Sequence, residues 1–307
     1  MTESPVTGAR VVAVVGPTAV GKSALGIALA KAVDGEVVNA DSMQLYRGMD
    51  IGTAKLRADE WDGVPHHLLD VWEVTRAASV ADYQRRARAA VADIAARGRT
   101  PVLVGGSGLY IQATVDELHF PATDPGVRAQ LEEELAAVGP AALHRRLAEL
   151  DPKAAAATLP SNGRRVVRAL EVLELTGTRF SDGPGMTAYR SIYPGLRLVG
   201  LELDHAALVE RIVRRVDLMW QQGLVDEVRR LEKAGLRDGV TARRALGYQQ
   251  VLAMLAGEYD DATARERTVY ATRRFARRQV SWFRRDPRIT WLPADGNALP
   301  RALSLLP

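Results

Sequence analysis

Residues Gly16, Pro17, Thr18, Ala19, Val20, Gly21, Lys22 and Ser23 follow the pattern G-x-x-x-x-G-K-[ST] of a phosphate loop, the ATP-binding motif of many nucleotide-binding proteins. Each fixed position has a chemical task. The glycines let the backbone turn so that N–H groups converge on phosphate oxygens, Lys22 adds a point charge, and the Ser23 hydroxyl can ligate Mg²⁺. A helix starting near Lys22 would aim its positive end at the same point. Holding phosphates does not specify a reaction. An enzyme that cleaves a γ-phosphate normally also carries a metal-coordinating acid at the end of an apolar strand. The apolar run 101–104 leads instead into Gly105, Gly106, Ser107 and Gly108, with no acid. The acid is elsewhere: Asp41 follows the apolar run 37–40. A carboxylate there can take a proton from an incoming nucleophile. It can equally cap a helix or shape a turn, and position alone leaves both open.

The elements that must position these residues alternate along the first half of the chain. Residues 10–15 form a short apolar run ending in glycine, which reads as a buried strand. A helix is expected over 22–33, a strand over 36–40, a helix over 80–96 and a strand over 101–104. This pattern predicts an α/β fold, a P-loop-type parallel sheet core covered by helices. Ligands of such sheets sit beyond the carboxyl ends of the strands, which puts Asp41 and Ser107 on one rim with the phosphate loop. From about 124 to 177 the pattern is helical, broken at Gly139-Pro140 and Pro160, and the turn-rich stretch Ser181-Asp182-Gly183-Pro184-Gly185 follows. A helical insertion domain is therefore expected over 119–197, with residues 1–118 and 198–307 making the core. After a strand at 196–203, helices are expected at about 205–234, 241–256 and 261–285, then a strand at 289–292.

Composition excludes several classes. The 307 residues are 47% hydrophobic and 25% charged, the balance of a globular protein. No apolar run reaches the roughly 20 residues of a membrane span, and residues 1–10 lack a secretory apolar segment; a cytoplasmic protein without membrane contact is expected. With no cysteine there is neither a disulfide framework nor a thiolate metal site. The five histidines are scattered apart from His66-His67, which gives zinc little support. The net charge is only +4, but residues 265–288 hold nine arginines against Glu266 and Asp286, a local excess of seven positive charges. On a helix, Val269, Ala276, Val280 and Phe283 fall on one stripe, Arg267, Arg274, Arg278 and Arg285 on the opposite side, and Tyr270, Arg273, Arg277 and Arg284 between them. Such a face can bind a polyanion or be simply solvated. Trp282, near the stripe, is read as a packing residue.

The stretch Asp41-Ser42-Met43-Gln44-Leu45-Tyr46-Arg47-Gly48-Met49-Asp50-Ile51-Gly52-Thr53-Ala54-Lys55 resembles the signature of the bacterial tRNA dimethylallyltransferases, or isopentenyl-tRNA transferases. Residues 16–23, 65–70, 105–110, 164–171, 244–248 and 272–285 resemble the same family in the same order, so the likeness runs from about 11 to 292. The resemblance implies transfer of a dimethylallyl group from dimethylallyl diphosphate to N6 of the adenosine 3′ to the anticodon, in tRNAs reading codons that begin with U. It implies Asp41 as general base, Ser107 as its support and Arg215 as a third catalytic group. Residues 16–23 and Arg215 would hold the diphosphate, with Mg²⁺ at Ser23. For the anticodon stem-loop it implies contacts from Asp41, Ser42, Met43, Gln44, Ser107, Arg128, Arg164, Arg165, Arg168, Arg244, Tyr248, Arg273, Arg274, Arg277 and Arg278. The insertion would contact the anticodon arm, and a monomer is expected. Two other classes share parts of this pattern. A P-loop kinase would leave the arginine helix unexplained, and a non-catalytic RNA-binding protein would leave Asp41 unexplained.

Overall fold

The computed structural model describes residues 10–121, 123–183 and 189–306. The expectations placed on residues 1–9, and on Pro184 and Gly185 of the turn-rich stretch, lie outside them. The chain divides into two compact units, Glu117–Arg190 and the remainder.

The larger unit is built on β1 (Val12–Val15), α1 (Lys22–Ala32), β2 (Gly35–Asn39), β3 (His66–His67), α2 (Val80–Ala96), β4 (Thr100–Val104) and α3 (Gly108–Val115). The smaller unit interrupts it with α4 (Pro125–Leu150), α5 (Pro152–Ala156) and α6 (Gly163–Thr176). The larger unit then resumes with β5 (Arg197–Glu202), α7 (His205–Gln221), α8 (Leu224–Lys233), α9 (Tyr248–Leu255), α10 (Asp261–Phe283), β6 (Ile289–Pro293) and α11 (Ala298–Ser304).

The sheet has six strands in the order β3-β2-β4-β1-β5-β6, and every pairing is parallel. Successive strand side chains point to opposite faces. Accordingly Val11, Ala13 and Val15 enter one core with Tyr83, Ala87, Tyr110, Val228 and Val251. Val12 and Val14 enter another with Leu25, Leu29, Ile212, Ala276 and Ala302. With helices on both faces, β1 is buried along its whole length. This explains its unbroken apolar run.

Two expectations are adjusted, and one strand is added. The two-residue strand β3 beside β2 has no periodicity for a sequence reading to find. The helix expected over 205–234 is two helices divided at Gln222-Gly223. Of the helix expected over 241–256, only Tyr248–Leu255 forms, after a short 3₁₀ turn at Ala242–Arg244.

The smaller unit packs α4, α5 and α6 around Leu131, Leu143, Leu147, Val166, Val167 and Leu170. α4 is broken where Gly139 takes φ 77° and ψ 164°, directly before Pro140. The fully buried Glu171 accepts hydrogen bonds from Arg128 (2.5 Å), Arg168 (2.7 Å) and Thr123 (2.7 Å). These partners outweigh the cost of burial and lower its carboxyl pKa to about 2. Ser191 and Ile192 pair back onto Asp116 and Val115, so the larger unit resumes at 191. No helix among the described residues is long and apolar enough to cross a membrane.

Candidate active site and its relatives

Parallel strands bring their carboxyl ends to one rim. β1 runs into Gly16, β2 into Asp41 and β4 into Gly105. β4 lies between β1 and β2. Asp41 therefore stands two inter-strand steps from the phosphate loop, about 10 Å across the sheet. Thr18, Lys22, Ser23, Asp41, Gln44, Arg215 and Gln279 line one cleft on this rim.

The phosphate loop is shaped by its backbone. Gly16 has φ 139°, and a Cβ there would stand 2.6 Å from the Leu201 carbonyl oxygen of β5. Ala19 and Gly21 also take positive φ, and α1 begins at Lys22, so the helix's free N–H groups face the cleft mouth. The Lys22 ammonium donates to the Pro17 carbonyl at 2.7 Å. Burial lowers its pKa to about 8; Asp41 opposes that shift and Arg215 adds to it. The Ser23 hydroxyl lines the cleft and makes no hydrogen bond among the described residues. Arg215, on α7, donates to Thr18 Oγ1 (3.2 Å) and to the Thr53 carbonyl (3.3 Å). Burial lowers its pKa too, again opposed by Asp41. Two desolvated cations against one carboxylate leave the cleft short of negative charge, which suits a phosphate-bearing ligand.

Asp41 is held by its own turn. Its backbone N–H donates to Asn39 Oδ1 (3.0 Å), and its Oδ1 accepts from the Met43 N–H (2.9 Å). Its second carboxylate oxygen has no hydrogen bond among the described residues, so it is available to a ligand. Ser107 supports this turn one residue along. Its Oγ accepts from the Ser42 N–H (3.0 Å) and donates to Ser42 Oγ (3.2 Å), with no hydrogen bond to Asp41 among the described residues. Gln44 donates to the Thr53 carbonyl at 3.1 Å, and Met43 packs on the core. Beyond them, the buried Lys55 ammonium ties Asp50, Asp70 and the Tyr46 carbonyl together. His67 pairs with the buried Glu36, while His66 stacks on Trp61 and also lines the cleft.

Several residues of this site escape a sequence reading. Gln279, 5% exposed, accepts from the Thr18 N–H (2.8 Å) and donates to the Gly106 carbonyl (3.0 Å). Arg211 donates to the Val20 carbonyl at 3.2 Å. Glu227, buried, accepts from the backbone N–H groups of Asp50, Ile51 and Gly52 and from the Tyr248 hydroxyl (2.6 Å). Only the arrangement of the Arg-rich helix offers a signal for Gln279, since it lies away from the outward arginines.

α10 presents Arg273, Arg274, Arg277 and Arg278 to solvent, with no ion pair to any of them among the described residues. Arg274 lies over the Tyr270 ring and Arg278 over Phe275. The buried face is Ala264, Thr268, Ala276, Gln279 and Phe283. Val269 and Val280, expected on it, are only half-buried. Arg164, Arg165 and Arg244 are exposed. Arg128 and Arg168 are committed to Glu171. Tyr248 is a correction: its side chain is fully buried and its hydroxyl engaged by Glu227, so it offers no surface to an RNA.

The IPP transferase family model matches residues 44–286. The chain is 63% identical over 302 residues to a tRNA dimethylallyltransferase of Thermobifida fusca, covering 96% of this chain and 94% of that one. It is 63% identical over 301 residues to another from Streptomyces coelicolor, covering 97% and 96%. Its fold is similar to a full-length tRNA isopentenylpyrophosphate transferase from Bacillus halodurans, with 42% identity, TM-score 0.70 and coverage of 96% and 94%. It is similar also to a eukaryotic dimethylallyltransferase acting on tRNA, with 26% identity, TM-score 0.83 and coverage of 98% and 81%. With the family model matching residues 44–286 and a relative 63% identical over 96% of the chain, the chain belongs to the IPP transferase family.

Proposed function

We propose that this protein transfers a dimethylallyl group from dimethylallyl diphosphate to N6 of the adenosine 3′ to the anticodon, in tRNAs reading codons that begin with U. The observation that carries the reading is the shared cleft. A phosphate loop with Lys22 and Arg215 faces Asp41 across β4, about 10 Å away along one rim of the sheet. The target adenosine leaves the anticodon stack to enter this cleft, as modified bases generally must. N6 attacks the allylic carbon, and the free oxygen of Asp41 takes one N6 proton. As the N6–carbon bond forms, the bond from that carbon to the bridging oxygen breaks, and diphosphate departs with the electron pair. The phosphate loop, Lys22 and Arg215 stabilise the departing charge, a preorganised contribution that is often the largest in catalysis.

The donor set fits Mg²⁺ in one way. No cluster of three acidic or histidine ligands occurs among the described residues, whereas the unengaged Ser23 hydroxyl faces the phosphate site. Mg²⁺ commonly takes few protein oxygens and completes its shell with phosphate and water. Bound there, it would neutralise part of the diphosphate charge. For the tRNA, Arg273, Arg274, Arg277 and Arg278 supply phosphate contacts, Arg244 a further one, and Arg164 and Arg165 of the helical unit reach the anticodon arm. The protein acts as a cytoplasmic monomer in this reading.

The test is incubation with dimethylallyl diphosphate, Mg²⁺ and unmodified tRNA, followed by mass spectrometry of the nucleosides. N6-dimethylallyladenosine should form without ATP. Stoichiometric ATP turnover with no modified nucleoside would return the chain to the kinase class.

A further inference from the structure

Gln279 occupies an unusual position for a residue of the arginine helix. It is buried, lines the reaction cleft, and uses both ends of its amide on two different loops. Its Oε1 accepts from Thr18 in the phosphate loop that follows β1, and its Nε2 donates to Gly106 in the loop that follows β4. Each loop leads to one half of the chemistry. On one side, Thr18 Oγ1 accepts from Arg215. On the other, Gly106 adjoins Ser107, which holds Ser42, the neighbour of Asp41. The fit is close. A Cβ on Gly106 would stand 2.1 Å from Gln279 Nε2, and one on Gly108 would stand 2.1 Å from Trp282, three residues further along the same helix. α10 thus presses two side chains against the segment after β4, where Gly106 and Gly108 leave no spare room.

We propose that Gln279 is a positioning residue for prenyl transfer: its amide fixes the distance between the diphosphate site and the base. The inference rests on the transfer reaction proposed above. Without this link, the phosphate loop and the Gly105-Gly106 turn shift relative to each other, and donor and nucleophile remain bound but poorly aligned. A misplacement of about 1 Å in a reacting pair costs on the order of a hundredfold in rate.

The experiment is single-turnover prenyl transfer, with tRNA and dimethylallyl diphosphate both saturating, for the parent, Gln279→Ala, Gly106→Ala and the double variant. Gln279→Ala removes both hydrogen bonds. Gly106→Ala keeps every hydrogen-bonding group but displaces the amide from the other side, and Gly106 does not have a positive φ that would bar alanine. Each single variant should lose about ten- to a hundredfold in the saturated rate, with tRNA Kd within about twofold of the parent. The double variant should be no slower than Gln279→Ala, because the methyl group then meets no amide. Losses that multiply in the double variant would mean the two residues act separately, and would overturn the proposal. So would a saturated rate within threefold of the parent in either variant, or a loss that higher donor or tRNA concentration restores. If Gln279→Ala does not fold, Gly106→Ala decides the question alone. A parent that makes no prenylated adenosine refutes the reaction itself. Product from the parent with unaffected variants refutes only the role of Gln279.

Discussion

Replacing Asp41 with asparagine exchanges one carboxylate oxygen for an NH₂ group and leaves the surrounding turn intact. The Oδ1 that accepts from the Met43 N–H is retained, and the Asn39 contact is to the Asp41 backbone. The oxygen that changes is the one without a protein partner, so the fold loses no hydrogen bond and Tm should move little. The chemistry loses its proton acceptor. The adenine amino nitrogen is a weak nucleophile because its lone pair is delocalised into the ring, so deprotonation during attack matters. A positioned base contributes about 10²–10⁴-fold, and each tenfold is about 1.4 kcal/mol, so the barrier should rise by roughly 3–5 kcal/mol. One secondary effect follows from the electrostatics. Asp41 raises the pKa of Lys22, so its neutralisation should weaken donor binding at alkaline pH. The assay is therefore single-turnover transfer at pH 7 with both substrates saturating, which isolates the chemical step. A rate within a few-fold of the parent would refute Asp41 as the base, and Ser107 acting through a bound water would become the next candidate.

Three further outcomes are expected. Burial lowers the pKa of Lys22 to about 8, and an anionic donor binds the protonated form. Above pH 8, inorganic diphosphate affinity by calorimetry should fall by up to about tenfold per unit; Lys22→Arg, which stays charged, should abolish the fall. Replacing both Arg274 and Arg278 with alanine should flatten the log–log salt dependence of tRNA binding by about 0.7–0.9 per lost phosphate contact without unfolding the chain; an unchanged slope would make this a solvated face. Glu171→Gln should destabilise the helical unit by about 1.5–3 kcal/mol, the range for hydrogen bonds to a charged group. That is less than the roughly 3–5 kcal/mol for breaking a fully buried pair, because Arg128 and Arg168 keep contact with water. The carboxylate's contribution is complete above its ordinary value near 4.5 and is lost as pH falls through about 2. All five tryptophans lie outside Glu117–Arg190, so amide exchange over residues 125–176, not tryptophan fluorescence, is the measurement.

What could be read from the sequence follows the range of the interactions involved. The phosphate loop is local chemistry between a buried strand and a helix, and it lies where the motif put it. Asp41 was legible because a strand end in a parallel sheet fixes the rim on which its residue stands. The helix 80–96 is found at its expected ends because Ser79 caps it and its apolar spacing is regular. What was hidden depends on contacts between distant segments. Gln279 and Thr268 are polar, so an apolar-stripe reading of α10 passed over them in favour of Val269 and Val280. Each is buried for a separate reason: Gln279 meets the phosphate loop 261 residues earlier, and Thr268 satisfies its hydroxyl on the Ala264 carbonyl. Glu227 and Glu171 look like ordinary surface acids in sequence, and only the converging donors around each explain their burial. Tyr248 reads as a candidate RNA contact by its motif, yet its hydroxyl is spent inside the fold.

The place of β1 in the sheet also fixes an order of events during synthesis. β1 is flanked by β4 and β5. The residues between Val104 and Arg197 must be translated before its second edge can be covered. At about 5–20 residues per second, that is a wait of roughly 5–20 s. During it the apolar strand at the centre of the future sheet keeps one row of backbone N–H and C=O groups unpaired, the kind of edge that templates aggregation. The helical unit, whose core contacts all close within Glu117–Arg190, can fold in the same interval. Docking of β5 and β6 onto a preformed half-sheet is therefore the expected slow phase of folding, because those pairings span the largest sequence separations in the core. A chaperone that holds the exposed edge of β1 during those seconds would govern the yield of folded protein more than the stability of the finished sheet.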